Sequence, residues 1–353
     1  MKYIKTITDP VYHSKKYTIA DICFLRYIKD KRDLPFIYLL IKVTALLLPL
    51  ALLLYLPFIT GWLWWLVAIA FQTFNTLLRT PFGLMMHAIS HKQLFKTKYK
   101  KSIYYITWFI GPFMGYTPET YFSHHIGMHH PEGNMPDDDS STMFYQRDSL
   151  RDYLKYTAEF IFTGLAGLIS YLKKKNRKKL AKRALTGEMF FFIVCIFLCF
   201  VNWKATMVVF IFTFFIWRVF MMLGNWTQHA FIDPENPQNP YKSCINCLNI
   251  RYNHIAWNDG YHSSHHLNPS LHWTDHPSSF TNNKQAYAEN KAVIFEGLDY
   301  AAIFFYLMRK RYDLLAKNFV NINNTFKSDE EVMTLLKERT RKFENYKIEN
   351  AIA

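Results

Sequence analysis

Nine of the fourteen histidines fall into four tight groups along the chain. In chain order the groups are His87 with His91; His125 with His129 and His130; His229 alone; and His262 with His265 and His266. Neutral imidazole is a common ligand for iron, zinc, copper and nickel. Nine ligands suit two ions with about four or five ligands each, so the pattern predicts a two-metal site.

The spacing within the groups predicts helices that present the ligands. His87 and His91 are four residues apart, which puts both rings on one helical face where they can bind one ion. His125 and His129 repeat this spacing, so they are also expected to share an ion. His130 points away from that face and is expected to serve the second ion.

The last two groups extend the same site. His262, His265 and His266 have the spacing of a helical pair plus one neighbour. The preceding residues 258–260 (Asn-Asp-Gly) predict a turn that leads into this helix. His229 directly follows an apolar segment, which favours a ligand role over that of an isolated structural histidine.

Histidine ligands need hydrogen-bond acceptors that fix the position of their ring proton. Candidates are Asp233, Asp259, Glu119 and the acidic run 137–139, of which at least two members are expected to be solvated. His124 is left out of the ligand set, because His125, His129 and His130 already reproduce the spacing of the first group.

The residue types favour redox chemistry without deciding the metal. A set of imidazoles with open positions suggests iron and O₂ chemistry, although zinc remains open from the histidine count alone. The five cysteines give no disulfide framework. A rubredoxin-like site needs two CxxC pairs, so the single pair Cys244 and Cys247 is predicted to be structural.

Apolar segments supply the elements that must position the histidines. Two pairs of them predict transmembrane hairpins: 35–58 with 60–79, and 188–203 with 205–223, which turns near Lys204. The segments 103–118 and 158–172 are shorter than a bilayer span and are expected to be buried or interfacial helices. A break at Pro81 and Gly83 is expected between the first hairpin and His87.

The charge pattern predicts which side of the membrane the site faces. The formal net charge is +15, and the basic residues lie beside apolar runs, which favours a membrane surface over nucleic acid. The basic segment 173–183 is expected in the cytoplasm, and all four histidine groups then face the cytoplasm. The first twenty residues lack the apolar core of a signal peptide.

The predicted fold is therefore an all-α integral membrane protein. It has two transmembrane helical hairpins (four spans), short interfacial helices and a cytoplasmic helical cap that carries the di-metal site. We expect a single membrane-embedded domain over 1–353, made of an N-terminal cytoplasmic segment 1–34, a motif-bearing core 35–280 and C-terminal cytoplasmic helices 281–353. Within the last part, residues 290–318 and 328–346 are predicted helices.

Four motifs together resemble the membrane fatty-acid desaturase superfamily, which includes integral-membrane alkane hydroxylases and related fatty-acyl oxidases. They are HAISH (87–91), HIGMHH (125–130), NWTQH (225–229) and YHSSHHLNP (261–269), and the resemblance covers roughly residues 35–280. It implies two non-haem irons, O₂ and two external electrons that attack an unactivated C–H bond of a lipid chain. The implied metal ligands and catalytic residues are His87, His91, His125, His129, His130, His229, His262, His265 and His266.

The motif spacings leave the reaction open. Many acyl desaturases have four residues between the histidines of the first motif and two at the start of the second, whereas both gaps are three here. Three-residue gaps and the HHLNP ending are closer to the alkane-hydroxylase branch. Desaturation is favoured, with hydroxylation and oxidative decarboxylation as alternatives. A zinc-dependent membrane hydrolase or a metal transporter is the alternative from a different class.

The chain carries no recognisable haem, flavin or dinucleotide motif. Electrons must therefore come from an external carrier, for which a ferredoxin, a rubredoxin or a cytochrome with its reductase is expected. The substrate is expected to be a lipid or acyl chain taken from the membrane.

Overall fold

The computed structural model describes residues 1–3, 6–14 and 16–343, which divide into two compact units. The mixed unit contains helices and a small sheet, and comprises the described residues of Met1–Tyr12, Met128–Gly167 and Phe220–Ala353. The hairpin unit comprises those of His13–Gly127 and Leu168–Val219. The single domain expected over the whole chain stays a prediction.

Most of the described residues are helical. The α-helices among them are α1 Ile19–Leu25, α2 Leu34–Tyr55, α3 Gly61–His91, α4 Gly111–Phe113, α5 Thr120–His124, α6 His130–Glu132, α7 Leu150–Lys174, α8 Lys178–Thr206, α9 Thr213–Gln228, α10 Pro240–Ser243, α11 Arg251–Ile255, α12 His262–Leu267, α13 His276–Asn282, α14 Lys284–Glu289, α15 Tyr300–Met308, α16 Tyr312–Asn318 and α17 Asp329–Arg339. Three π-helical turns are Tyr105–Ile110, His125–His129 and Met207–Phe212. Short 3₁₀ turns are Lys31–Asp33, Thr97–Ser102, Trp273–Asp275 and Ile322–Asn324.

The helices α2 and α3 form the first predicted hairpin. The indole N–H of Trp64 donates to the carbonyl oxygen of Leu54 at 3.1 Å, which ties the start of α3 to the end of α2. The expected break at Pro81 is wrong, because α3 continues through this proline to His91. Neighbouring helices and local adjustments allow a proline inside such a helix. His87 and His91 therefore lie on the last turns of one long helix.

The helices α8 and α9 form a second hairpin. The helical backbone breaks at Asn202 (φ −158°, ψ 98°), two residues before the predicted turn. The ring of Phe191 stacks on that of Phe214 with centroids 5.5 Å apart. Nearer the open end, Arg218 donates to the carboxylate of Glu188 at 2.9 Å in a buried ion pair. These pairings run in opposite directions along the chain, so the two arms are antiparallel.

Three stretches of the described residues are long and apolar enough to cross a membrane, judged by length and composition: Lys31–Tyr55, Gly61–His91 and Lys178–Gln228. The last of these has 51 residues and contains the break at Asn202. Helix α7 has 25 residues and is not among these three stretches. That residues 158–172 do not cross the membrane stays a prediction.

The mixed unit contains a two-stranded parallel sheet, so the all-α prediction is wrong here. Strand β1 (Ile245–Leu248) pairs with β2 (Val293–Glu296) along its whole length. The single helix predicted over 290–318 is likewise wrong: this range contains β2 and two separate helices, α15 and α16. The strands consist mainly of buried apolar residues, several of them β-branched or aromatic, and Gly297 ends β2 with a left-handed backbone (φ 79°).

The sheet and the C-terminal helices share one apolar core. Buried members of this core include Phe231, Ile245, Phe295, Ile303, Leu315, Phe319, Val332 and Leu336. Helix α17 accounts for the helix predicted over 328–346 only as far as Arg339. Residues 340–343 are not helical, and residues 344–346 lie outside the described residues.

Candidate metal centre

The second histidine group lies on the π-helical turn His125–His129, which follows α5, and on the first residue of α6. In the hairpin unit, the guanidinium of Arg177 donates to the carbonyl oxygen of Gly127 at 2.5 Å. A Cβ added to Gly127 would lie 3.0 Å from the side chain of Leu172, so glycine permits this close approach. π-Helical turns occur frequently at functional sites, and this one carries histidines at both ends.

Four histidines converge in the mixed unit: His129, His229, His262 and His266. One ligand nitrogen of each lies within 4.8 Å of those of the other three. The Nε2 atom of His262 is 3.2 Å from Nε2 of His229 and 3.1 Å from Nε2 of His266. Nitrogens bound to one ion at about 2.1 Å lie roughly 3–4 Å apart, so the group fits a single metal ion.

Hydrogen bonds orient two of these rings. The Nδ1–H of His129 donates to the carboxylate of Asp138 at 2.7 Å, and the Nδ1–H of His229 donates to the carbonyl oxygen of Ser243 at 3.0 Å. These bonds assign the proton to Nδ1 and leave Nε2 as the metal-binding nitrogen. Asp138 is itself held by the backbone N–H and hydroxyl of Ser140, at 2.8 and 2.7 Å.

Burial keeps members of the four-histidine group neutral. Loss of hydration, with a smaller contribution from His129, lowers the pKa of His229 to about 3. Burial also lowers the pKa of His266 well below its usual value, with His262 as the next cause. Neutral imidazole is the form that binds a metal ion, so these rings do not have to lose a proton first at neutral pH.

Two further histidines of the sequence-predicted set lie in the mixed unit. The Nε2 atom of His265 is 3.0 Å from Nε2 of His130. The ring of His130 also stacks on that of His266, with centroids 5.0 Å apart. The mixed unit therefore holds six of the nine predicted ligands.

The other three lie together in the hairpin unit. The Nε2 atoms of His91 and His125 are 2.8 Å apart, and the ring centroids of His87 and His125 are 4.5 Å apart. The ring of Tyr121 stacks on His125 with an interplanar angle of 9°. The end of α3 and the start of the π-helical turn thus bring together rings from the first two motifs.

The structure changes one predicted pairing. His125 and His129 were expected to bind the same ion because they share a helical face. His129 instead belongs to the group of four, whereas His125 lies with His87 and His91. A shared face does not decide a shared ion, because the remaining ligands come from other helices. His124, which was left out of the predicted set, belongs to neither of these groups of described residues.

Among the predicted acceptors, Asp138 contacts a histidine ligand directly. Asp259 accepts from Gln228 and from the hydroxyl of Tyr252, Asp233 accepts from Arg339, and Glu119 accepts from Trp108 and pairs with Arg183. The sequence did not predict the carbonyl oxygen of Ser243 as an acceptor. No sequence signal could have found it, because every residue has a backbone carbonyl and only the fold brings this one to His229.

The donor group that converges here among the described residues consists of four imidazoles and includes no cysteine. The Cys244 sulfur lies 3.7 Å from Nδ1 of His229, but burial raises the pKa of this thiol to about 12. Cys247 is a free cysteine buried in the core of the mixed unit, which supports the predicted structural role of the pair. Imidazoles without thiolate suit a redox metal such as iron better than a structural zinc ion.

A known protein family matches the part of the chain that carries the histidine motifs. Residues 76–297 match the family described as Fatty acid desaturase, so the match covers more than half of the chain. All nine predicted ligands lie within the matched residues. No curated protein and no solved structure gives a significant match to the chain.

Proposed function

This chain belongs to the fatty acid desaturase family, and from this membership we propose that it is an O₂-dependent di-iron enzyme that desaturates a lipid chain. The family makes it a lipid-modifying oxidoreductase. The observation that carries the finer proposal is the four-histidine group, in which Asp138 and Ser243 orient two rings for metal binding.

The nine histidines are proposed as the ligands of two non-haem irons, with six in the mixed unit and three in the hairpin unit. Bound iron, with O₂ as co-substrate, supplies the oxidising power that an unactivated C–H bond requires. Burial keeps His229 and His266 in the neutral form that binds a metal ion. Hydrogen bonds to Asp138 and to the carbonyl oxygen of Ser243 fix the ring directions of His129 and His229.

Residues around His229 support a dry, rigid site. His229 is fully buried, and the hydroxyl of Thr142 donates to its carbonyl oxygen at 2.8 Å. Asn134 in turn accepts from the backbone N–H of Thr142 at 2.9 Å. Excluding water strengthens electrostatic interactions in the site and prevents side reactions of an oxidising species.

We propose four membrane spans with the histidine groups facing the cytoplasm. The 51 residues of Lys178–Gln228 would form a helix of roughly 75 Å if straight, far longer than a bilayer core of about 30 Å. The break at Asn202 and the antiparallel arms on either side support two spans in this stretch. The basic segment 173–183 supports the cytoplasmic orientation.

The proposed substrate is a fatty-acyl or other lipid chain that enters from the bilayer. The proposed electron donor is an external carrier, a ferredoxin, rubredoxin or cytochrome with its reductase. Support for an external donor comes from the sequence, which has no recognisable haem, flavin or dinucleotide motif.

Metal analysis with a ligand variant tests the proposal. The purified protein is expected to contain about two irons per chain. His129→Ala is expected to lose iron and to lower turnover at least about 100-fold, because it removes a ligand held by Asp138. His254→Ala is the control, since His254 is exposed and outside both histidine groups. Normal iron content and turnover in His129→Ala would refute the assignment.

The same measurements separate the alternatives from a different class. Zinc as the sole metal, with activity that persists without O₂, would overturn the proposal in favour of a hydrolase. Metal uptake into vesicles without any lipid product would point to a transporter. A transporter is disfavoured because the acidic residue Glu188 in the second hairpin is already paired with Arg218.

Product analysis decides between the related oxidations. Expression in a host and mass spectrometry of its lipids are expected to show a loss of two hydrogens. The three-residue gaps in the first two motifs favour hydroxylation as the second candidate, which adds one oxygen. Loss of one carbon would identify oxidative decarboxylation.

A further inference from the structure

The amino-terminal residues pack into the mixed unit, far along the chain from the histidines. The backbone N–H of Lys2 donates to the carbonyl oxygen of Phe319 at 2.8 Å, and the N–H of Asn321 donates to that of Lys2 at 3.0 Å. The hydroxyl and backbone N–H of Thr8 both donate to the side-chain oxygen of Asn249. This segment lies outside the region that matches the family.

Asp9 in this segment is buried, with 4% of its surface exposed, and its carboxylate accepts three hydrogen bonds. One oxygen accepts from the hydroxyl of Tyr261 at 2.7 Å and from the backbone N–H of Asn249 at 2.8 Å. The other accepts from the N–H of Ile250 at 3.3 Å. A buried carboxylate that accepts this many hydrogen bonds is held in one position.

Tyr261 connects Asp9 to the last histidine group, His262, His265 and His266. It directly precedes His262, and its carbonyl oxygen accepts from the backbone N–H of His265 at 3.0 Å as α12 begins. Its side chain is fully buried, so its hydroxyl cannot form a hydrogen bond with bulk water in place of the bond to Asp9. The position of Tyr261 therefore sets where α12 begins.

The turn before Tyr261 needs external support. Trp257 and Asn258 both have left-handed backbones (φ 53° and 59°), which are unfavourable for residues other than glycine. The side-chain amide of Asn258 donates to the carbonyl oxygen of Pro10 at 2.7 Å and to that of Trp273 at 2.9 Å. Asp9 and Pro10 thus hold both ends of this turn, one through Tyr261 and the other through Asn258.

We propose that Asp9 is a positioning residue for the metal centre, acting through Tyr261 on the histidines of α12. This inference rests on the proposed function, since it takes His262, His265 and His266 to be metal ligands. Both carboxylate oxygens matter, because all three donors point at them. In Asp9→Asn the amide nitrogen would face one of these donors, so at least one bond to Tyr261 or the 249–250 turn is lost.

The chain offers a closely matched control pair. Asp148, also buried in the mixed unit, accepts from the hydroxyl of buried Tyr312 at 2.8 Å. Asp148→Asn and Tyr312→Phe therefore remove the same kind of bond as Asp9→Asn and Tyr261→Phe. Neither control residue is bonded to a histidine of the metal groups in the described contacts.

The test is a titration of the full-length, metal-stripped protein with Co(II), followed by its visible absorption, together with the melting temperature of each metal-free variant. Asp9→Asn and Tyr261→Phe are expected to weaken Co(II) binding by about 10–100-fold, the usual effect of losing a group that orients a ligand. Both pairs are expected to lower the melting temperature to a similar extent, and the control pair is expected to bind Co(II) as the wild type does.

Two results would overturn the inference. One is unchanged Co(II) affinity in Asp9→Asn and Tyr261→Phe; the other is an equal loss of affinity in both pairs, which shows a general effect of lower stability. If Asp9→Asn fails to fold, Tyr261→Phe alone decides, because it keeps the carboxylate and removes only one hydroxyl. A wild-type protein that binds neither Co(II) nor iron would instead refute the proposed function.

Discussion

The long helices of the hairpin unit and the sheet core of the mixed unit use apolar residues in opposite ways. The hairpin unit exposes large side chains along its long helices, with Trp62 77% and Phe200 86% exposed. The mixed unit buries comparable residues, such as Phe295 and Phe319, around its small sheet. Exposed apolar side chains are expected where lipid surrounds a protein. Where water surrounds it, apolar side chains are expected to be buried in a core.

The histidine groups follow the same division. The four-histidine group of the mixed unit is largely buried, and an aspartate and a backbone carbonyl orient two of its rings. In the hairpin unit, His87 and His91 are half-buried at the end of a long helix. A core built from many chain segments can supply acceptors from several directions, whereas a helix end relies on the packing of its neighbours.

Changes to close helix packing should therefore affect the hairpin unit, and changes to acceptors should affect metal binding in the mixed unit.

The largest effect is expected from Gly187→Ala in the hairpin unit. A Cβ at this position would lie 1.7 Å from the carbonyl oxygen of Pro118, and a backbone atom cannot move aside cheaply. We expect a loss of about 3 kcal/mol in the free energy of unfolding, at the upper end for overpacking. Thermal melting in detergent measures this loss.

Gly224→Ala is the control for this change. Outside its own turn of α9, no atom of the described residues lies within 4 Å of a Cβ at Gly224, so the substitution should be neutral or stabilise by up to about 1 kcal/mol. Equal melting temperatures for Gly187→Ala and the wild type would contradict the close packing of α8 against Pro118.

A medium effect is expected from Asp138→Asn in the mixed unit. The change weakens the charge-assisted bond that orients His129, so metal affinity should fall by about 10–100-fold while the metal-free protein keeps most of its stability. Competition with a chelator measures the affinity. Asp313→Asn, at a partly exposed position where the carboxylate pairs with Arg311, should bind metal normally. Equal affinities in both variants would show that the bond does not orient the ligand.

The smallest effect is expected from mild acid. His229 is neutral when folded because its pKa is lowered to about 3, but it takes up a proton near pH 6.5 when unfolded. The unfolded state therefore binds more protons between these pH values, and stability must fall as the pH drops below about 6.5. The slope is at most about 1.4 kcal/mol per pH unit for each such histidine.

Melting temperatures of the metal-free protein between pH 7.5 and pH 5 test whether its stability falls on acidification. His229→Gln should reduce the slope, because the substituted residue does not titrate in this range. A stability that is independent of pH across this interval, or that rises on acidification, would contradict the buried neutral state of His229.

Much of the candidate site could be predicted from local sequence. The resemblance to the desaturase superfamily is confirmed by the family match, and the nine histidines do come together within each unit. Both hairpins were predicted because apolar runs of span length are a local signal. The turn predicted near Lys204 also lies close to the observed break in the helical backbone, which is at Asn202.

Other features depended on contacts that no local pattern encodes. Proline at position 81 suggested a break, yet packing keeps α3 continuous. The apolar run at 293–296 suits a helix or a strand, and it became β2 because β1, almost fifty residues earlier, lies beside it. Short apolar runs cannot be assigned from periodicity alone.

The sequence by itself determined the family and the nine candidate metal ligands, because side-chain types and their spacing can be read directly. Tertiary structure alone decided that His125 and His129 join different groups, that Asp138 and the carbonyl of Ser243 orient two rings, and that Asp9 reaches Tyr261. The physical reason is range. Helical spacing acts over four residues, whereas hydrogen-bond partners and the ligands that complete a metal site come from wherever the folded chain places them.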